Sequence, residues 1–524
     1  PDLYDVVVIG GGPGGAVSGT LLADSGKQVL LLEAEKFPRY HVGESLLSGT
    51  EALLKQIGVI DELENGGYIK KYGVEWVWGE NREPWTIYFK DAVAMPFDHG
   101  YQVERDKFDK LLLDNALKHG VDVREEHKVT DFAIGADGRS TVTFKDPAGV
   151  QTTVRTRWVI DASGQGGMVT KRLHKQEWDP YLKNLAIWTY WTGAQRSSGL
   201  DAGNTFTPSF DEGWFWFIPL RDDRTSVGMV VDREMLGATR EAGVETYYTD
   251  CVARTPELAR RLEGAQRADK IHVARDWSYS YDRFSGDGYI AVGDAACFID
   301  PLFSTGVHLA MLSGFLAAVS VNTVLDKPGM GLTEVLDFYE STYRKEFSRL
   351  RAQVYFLYSG HSGSKESYFW HARNQFDVPG IEPEKAFISL IAGAFQHRTA
   401  FSRYLQRIDL PGDLRSAFES VIDGKSVGIG VDPHQTVACA PGVTYVDELA
   451  VDGMHLRHGR SVSIPSGVTL PLTPQLEQLV TMADSPKTVI ELIDALASDG
   501  TQPRDSAQGL VHVAVSYGLL KPVA

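Results

Sequence analysis

A chain of 524 residues is too long for one compact core and divides into about two or three domains. With 43% hydrophobic and 23% charged residues most of it folds, and a net charge of −17 disfavours nucleic acid and anionic membranes as partners. No apolar run reads as a membrane span, three widely spaced cysteines (Cys251, Cys297, Cys439) fit a reducing cytoplasm, and a first strand starting at residue 4 leaves no room for a signal peptide.

YDVVVIG opens the chain as a short buried strand. Gly10, Gly12 and Gly15 then form G-x-G-x-x-G, a helix runs to Ser25, and KQVLLLE makes a second strand ending at Glu33. Glycines so placed permit a tight turn and let backbone amides meet a pyrophosphate, while Glu33 can hydrogen-bond an adenosine ribose. A dinucleotide cofactor is predicted, in preference to glycines that merely pack a helix on a sheet. PRYHVGES (38–45), IKKYGVEWVWG (69–79) and YQVERDKFDKLLL (101–113) follow, the last an arginine-bearing start to an amphipathic helix. Segments near 121–123, 129–134, 140–144, 151–155 and 158–161 alternate between turn signals, as in a small antiparallel sheet. VIDASGQGG then leads back to the dinucleotide domain.

LAIWTYWTG, GWFWFIPL and TSVGMVVD predict a second sheet. In GWFWFIPL (213–220) the period of two puts Trp214 and Trp216 on one face, Phe215 and Phe217 on the other. GDGYIAVGDAACFIDPLFSTGVHLA (286–310) ends a strand on Gly293-Asp294 before a loop and a helix. After 330 the pattern is helical. Arg344, Lys345, Arg349 and Arg351 lie on a helix from about 334 to 357, where a solvated face is favoured over a basic docking patch. Helical periodicity at 384–396 and 400–408 precedes a Gly/Val/Pro-rich stretch, 424–445, that reads as extended structure or a linker. Residues 470–522 read as three helices, the first capped by Thr473, in a winged-helix-like pattern whose acidic composition argues against DNA binding. Stabilising the chain is the preferred role there, ahead of covering a tunnel or docking a carrier protein.

Taken in order, these motifs resemble the flavin monooxygenases of the p-hydroxybenzoate hydroxylase type. The resemblance implies an α/β (α+β) fold: a Rossmann-like FAD-binding domain, an antiparallel-sheet substrate domain and a mostly helical C-terminal region. The implied boundaries are 1–170 with 270–330 for FAD (71–100 reaching the substrate side), 171–269 for the sheet, 331–445 helical, and 446–524 for the winged-helix-like module. Asp294 is implied to hold the flavin ribityl chain, with Arg39 and Arg105 approaching the cofactor. Read alone, Asp294 is a turn aspartate and Arg39 a surface charge.

Trp214, Trp216, Ile218 and Pro219 match W-x-W-x-I-P, a signature of the flavin-dependent halogenases, and residues 4 to 358 most resemble the phenol and pyrrole branch, the chondrochloren type included. In that family the indole wall keeps the organic substrate from the flavin; an aromatic strand by itself is ordinary core. The resemblance implies that reduced FAD, oxygen and chloride yield hypochlorous acid, which crosses to a separate pocket. The family pattern K-x-G-x-x-x-x-W-G puts the relay on Lys71, which should point inward and titrate low, whereas a loop lysine is usually solvated. In Ser304-Thr305-Gly306 the amides of Thr305 and Gly306 are implied to contact chloride, although an N-cap reading holds equally. Tryptophan halogenases carry glutamate where this chain has Phe303, so a phenolic, tyrosyl-like ring, free or carrier-tethered, is expected in natural-product (antibiotic) biosynthesis, with pyrrole second. Asp161-Ala162-Ser163-Gly164 stands where hydroxylases have an NADPH-linked D-G motif, which implies a separate flavin reductase as partner. A single-component aromatic hydroxylase and a flavin reductase of the geranylgeranyl-reductase type, which shares PR-x-x-x-GES, are the alternatives.

Overall fold

The structure is a computed structural model and describes residues 3–78, 84–92, 97–135, 139–359, 432–464, 469–472, 474–498, 504–516 and 518–523. Two compact units result, the first holding nearly all described residues up to 359 and the second those from 432 onward.

VVVI and VLLL, apolar at every position, belong to strands buried on both faces, as parallel strands between helices must be. Val7 of strand Tyr4–Ile9 stands between Leu30 of Val29–Leu32 and Val159 of Gln151–Asp161. The path of this sheet runs Ser285–Gly286, Tyr289–Ala291, Gln151–Asp161, Tyr4–Ile9, Val29–Leu32, Asp122–Arg124. Two sequence expectations change here. The segment near 121–123 belongs to the main sheet as a parallel edge strand, Leu31 facing Val123. Residues 151–155 and 158–161 are one continuous strand: its first half pairs antiparallel with Ser140–Lys145, its second half parallel with Tyr4–Ile9. Pattern alone could not separate these cases, because pairing partners are set by tertiary placement.

The predicted second sheet forms on strands Gln176–Thr192, Gly213–Pro219 and Arg224–Asp232, and extends beyond them. His272–Tyr281 adds on one side; Thr205–Phe210, Gly73–Val77 and Pro84–Tyr88 add on the other. Gly228 pairs with Trp188 on one neighbour and Trp216 on the other. A methyl group at Gly228 would lie 2.1 Å from the Trp216 ring and 2.5 Å from Trp188 Cβ, so the indole lies where only glycine leaves room. Phe215 and Phe217, on the opposite face, pack with Phe206, Phe210 and Tyr248 in a core under helix Val244–Ala253.

Helix Gly306–Asp326 crosses helix Pro13–Asp24 so closely that a Cβ on Gly314 would sit 2.5 Å from the Gly14 carbonyl oxygen. The reading that no apolar run is span-like is corrected here: this 21-residue helix is long and apolar enough by composition, at mean hydropathy 1.6, but 89% of that stretch is buried in the core. The solvated-face reading of helix Leu332–Ser359 is corrected too. Arg344 donates to the carbonyls of Tyr281 and Asp282 and covers the Phe284 ring, and buried Arg349 pairs with Glu346. Of the four, Lys345 is exposed, Arg344 and Arg351 are half-buried and Arg349 is buried.

In the second unit, helices Pro474–Met482, Val489–Ser498 and Arg504–Ser516 enclose a core of Val437, Leu479, Leu492 and Val511. The stretch read as extended holds strand Thr436–Cys439, which pairs with Leu520–Pro522. Segments 384–396 and 400–408 and the cap Thr473 lie outside the described residues. Gly228→Ala is expected to destabilise the protein by about 1–3 kcal/mol, the usual cost of overpacking, as a lowered thermal midpoint; an unchanged midpoint would mean that the indole yields freely.

Candidate functional site

A cavity of about 790 Å³ in the first unit runs from the glycine loop to the indole wall. That size suits a large cofactor. Gly10 has φ +104°, and a Cβ there would meet the Ala162 carbonyl oxygen at 2.3 Å; one on Gly15 would meet the Gly10 oxygen at 2.0 Å. Gly12 carries the chain in extended form into helix Pro13–Asp24, whose first amides have no side-chain cap. Gly10 and Gly12 line the cavity, whereas Gly15 packs behind them.

Glu33 lines the cavity with both carboxylate oxygens already held, by the amides of Gly11 at 2.7 Å and Glu35 at 2.8 Å. Each oxygen keeps a lone pair for a further donor. Arg39 stacks over Phe37 and stands 3.4 Å from Asp109, and its buried Nη1 has no hydrogen-bond partner. Arg105 also lines the cavity, but its guanidinium is taken up by Asp109 and by the carbonyls of Val42 and Gly43. It braces the loop that carries Glu44 and Ser45. Asp294 lies at the cavity edge, where burial pushes its carboxyl up to about 6 against the pull of Arg105.

Trp214, Trp216 and Ile218 form part of the opposite wall, and Pro219 closes the strand outside it. The two indoles are 2% and 7% exposed, and each N–H has a partner. Trp216 donates to Ser226 at 3.1 Å; Trp214 donates to Tyr358 at 2.5 Å, and Tyr358 donates to Asp300 at 2.9 Å. Asn184 donates to the same Asp300 oxygen at 2.8 Å. Asp300 leads into the Ser304-Thr305-Gly306 turn. Ser304 is left-handed at φ +57°, Thr305 is buried at the helix N-cap, and Gly306 is the first helical residue. Ser304 and Gly306 line the cavity, and Thr305 does not. Phe303 packs against Trp76, ring centroids 6.1 Å apart.

Lys71 is 1% exposed. Its strand, Ile69–Lys71, pairs with Gly100–Gln102 and turns Lys70 the other way, onto Glu64 at 2.8 Å. Lys71 Nζ donates to Ser45 Oγ at 2.8 Å and lies 5.3 Å from the Phe89 centroid. Burial lowers its pKa to about 7. Lys71 therefore points inward; its partner Ser45 lines the cavity, and Lys71 itself does not. Trp78 of the same motif is buried, and Gly79 lies outside the described residues. Sequence reasoning missed Ser45, Glu44, Trp188, Tyr190, Tyr358 and Asp300; the GES of PRYHVGES marked the first two, but their partners come from distant strands.

The model of the tryptophan halogenase family matches residues 5–95 and 90–407. The chain belongs to this family of flavin-dependent halogenases. A relative named tryptophan 2-halogenase, from Chondromyces crocatus, is 34% identical over 75% of this chain and 76% of its own length. Among solved structures, the flavin-dependent halogenase CmlS shares 29% identity over 99% of this chain and 95% of its own, with TM-score 0.75. The myxobacterial chondrochloren halogenase CndH, a FAD-dependent halogenase, shares 34% over 80% of this chain and 97% of its own, with TM-score 0.66. The halogenase thus has the fold of the FAD-dependent halogenases, and the cavity with its glycine cradle and Glu33 fits FAD.

The buried amine yields a stability test with a definite sign. Between the folded pKa of about 7 and an unfolded value of about 10.4 the unfolded chain holds a proton that the folded chain has released, so wild type gains stability as pH rises through that window. Lys71→Met should be the more stable protein near pH 7, by an advantage that shrinks toward pH 10. Thermal midpoints across that range check it.

Proposed function

We propose that this halogenase forms hypochlorous acid beside FAD and passes it by way of Lys71 to an electron-rich, phenolic ring. The observation that carries the proposal is the Lys71 amine, buried and bonded to Ser45 at the cavity surface. FAD bound in its reduced form would supply the reducing electrons for oxygen, with overall balance FADH2 + O2 + Cl⁻ + H⁺ → FAD + HOCl + H2O. Gly10, Gly12, Gly15, Glu33, Arg39 and Asp294 would hold the cofactor, with Arg105 bracing the loop beside it. The amides of Thr305 and Gly306 would hold chloride at a helix start, where positive potential gathers without a transferable proton. Trp214, Trp216, Ile218 and Pro219 would keep the organic ring from the flavin.

A neutral Lys71 has a lone pair to accept a hydrogen bond from hypochlorous acid or to take its chlorine, R-NH2 + HOCl → R-NHCl + H2O. Either route delivers chlorine to carbon with loss of the ring proton. Phe303, packed on Trp76, offers no carboxylate to help an indole, which favours a phenol; the name of the Chondromyces relative favours tryptophan as second reading. Asp161 is committed to the Ser163 hydroxyl and to the amides of Ser163, Val169 and Thr170, which supports reduction of FAD by a separate flavin reductase.

Incubation with FAD, a flavin reductase, NADH and chloride should chlorinate phenols, read as product mass, and leave tryptophan unchanged. Free and carrier-loaded phenols compared side by side identify the form used. Lys71→Ala should lose chlorinated product yet reoxidise flavin at the wild-type rate. Retained chlorination would remove the role given to Lys71, and chlorinated tryptophan alone would replace the phenol.

A further inference from the structure

Lys71 does not line the cavity, but two hydroxyl residues of the network that receives its amine do. Ser45 Oγ accepts from Lys71 Nζ at 2.8 Å and lies 3.1 Å from Thr205 Oγ1, and Thr205 Oγ1 accepts from Gln102 Nε2 at 3.0 Å. Ser45 and Thr205 line the cavity; Gln102, at the end of strand Gly100–Gln102, is fully buried and does not.

The Gln102 carboxamide is oriented by its second contact. Nε2 also donates to the Gly203 carbonyl at 2.9 Å, and a carbonyl oxygen only accepts, so nitrogen rather than oxygen faces Thr205. That orientation is kept although it leaves Oε1 buried without a hydrogen-bond partner. Three links thus join Lys71, Ser45, Thr205 and Gln102 in that order. N–H groups supply the two outer links, and the middle one needs a single hydroxyl proton. The two hydroxyls own two protons, so one is left over, and both residues that can carry it line the cavity.

This count holds while Lys71 is the donor. A neutral amine can also be held the other way round, with Thr205 donating to Ser45 and Ser45 donating onto the Lys71 lone pair. No hydroxyl proton is then spare, and the lone pair is blocked. The network therefore has two polarities, and an acceptor in the cavity favours the one that frees the amine.

We infer that the Ser45–Thr205 hydroxyl pair is the docking point of the oxidant. The spare proton is donated to the oxygen of hypochlorous acid in the cavity, and the same hydrogen bond selects the polarity in which the Lys71 lone pair is free. In R-NH2 + HOCl → R-NHCl + H2O the lone pair forms the N–Cl bond as the O–Cl bond breaks. The O–Cl electron pair stays on oxygen, and an amine proton completes the water. A hydroxyl donor set at that oxygen stabilises the charge it gathers. Ser45 and Thr205 are thereby catalytic residues, and Gln102 is a positioning residue that acts through Thr205. The identity of the oxidant rests on the halogenase reading; the spare proton rests on geometry.

Thr205→Val keeps the side-chain volume and removes the hydroxyl, whereas Thr205→Ser keeps the hydroxyl and removes volume, so a packing role and a docking role predict opposite orders. During turnover with FAD, a flavin reductase, NADH and chloride, phenol chlorinated per flavin reoxidised should fall by about 3- to 10-fold in Thr205→Val and in Ser45→Ala, the usual worth of one neutral hydrogen bond. Thr205→Ser should recover most of that loss. Monochlorodimedone, a diketone that takes chlorine in free solution, should collect the oxidant that Thr205→Val and Ser45→Ala no longer retain. In FAD-free protein carrying isotope-labelled lysine, an NMR titration should find the Lys71 pKa lower in Ser45→Ala than in wild type, because the ammonium loses its acceptor. Full coupling in Thr205→Val beside impaired Thr205→Ser, trap chlorination at the wild-type level in both hydroxyl-free variants, or an unmoved Lys71 pKa in Ser45→Ala would each overturn the docking point. Wild type that reoxidises flavin yet chlorinates neither phenol nor trap would instead remove the halogenase reading, and the oxidant with it.

Discussion

Keeping an amine in a dry interior with a hydroxyl for its hydrogen-bond partner drives it toward the neutral form, since desolvation penalises the charge and no ion pair is made to it among the described residues. The surroundings of Lys71 all serve that condition. The two-stranded ribbon with Gly100–Gln102 turns Lys71 inward and sends Lys70 out to Glu64, so neighbouring lysines end in opposite states. Ser45, which accepts the Lys71 hydrogen bond, is also 3.1 Å from Thr205 on the second sheet, so the amine is held at a junction of two sheets.

The loop of residues 42–45 is where the parts meet. Arg105, itself anchored on Asp109, grips the carbonyls of Val42 and Gly43. Glu44 and Ser45 then diverge, one to Tyr190 and the other to Lys71. The row of hydroxyls through Tyr190 and the proposed oxidant relay thus meet on adjacent residues of one braced turn. On the other side Trp214, Tyr358, Asp300 and Asn184 tie the indole wall to the turn that precedes Gly306. A shift of the wall would be felt at the start of the helix where chloride is proposed to bind.

Much of this was legible in the residues. G-x-G-x-x-G with Glu33 in register marked the cradle, because only glycine leaves room where a Cβ would stand 2.3 Å from the Ala162 oxygen. The alternation in GWFWFIPL correctly divided indoles from phenyl rings. What escaped was pairing across long separations: the parallel edge strand Asp122–Arg124, the recruitment of Gly73–Val77 to the second sheet, and the inward commitment of Arg344 and Arg349. Arg105, placed near the cofactor by resemblance, lines the cavity, but its carbonyl partners 62 and 63 residues away leave no local trace in the sequence.

Short, fixed spacing in the sequence carried the glycine cradle and the face shared by Trp214 and Trp216, while resemblance to the halogenases singled out Lys71 for the role proposed above. Tertiary structure alone decided which groups surround Lys71, that Glu44 ends a row of hydroxyls, and that the long apolar helix Gly306–Asp326 is buried in the core. Burial and hydrogen-bond partners depend on which distant strands are brought together, and short-range pattern holds no record of that.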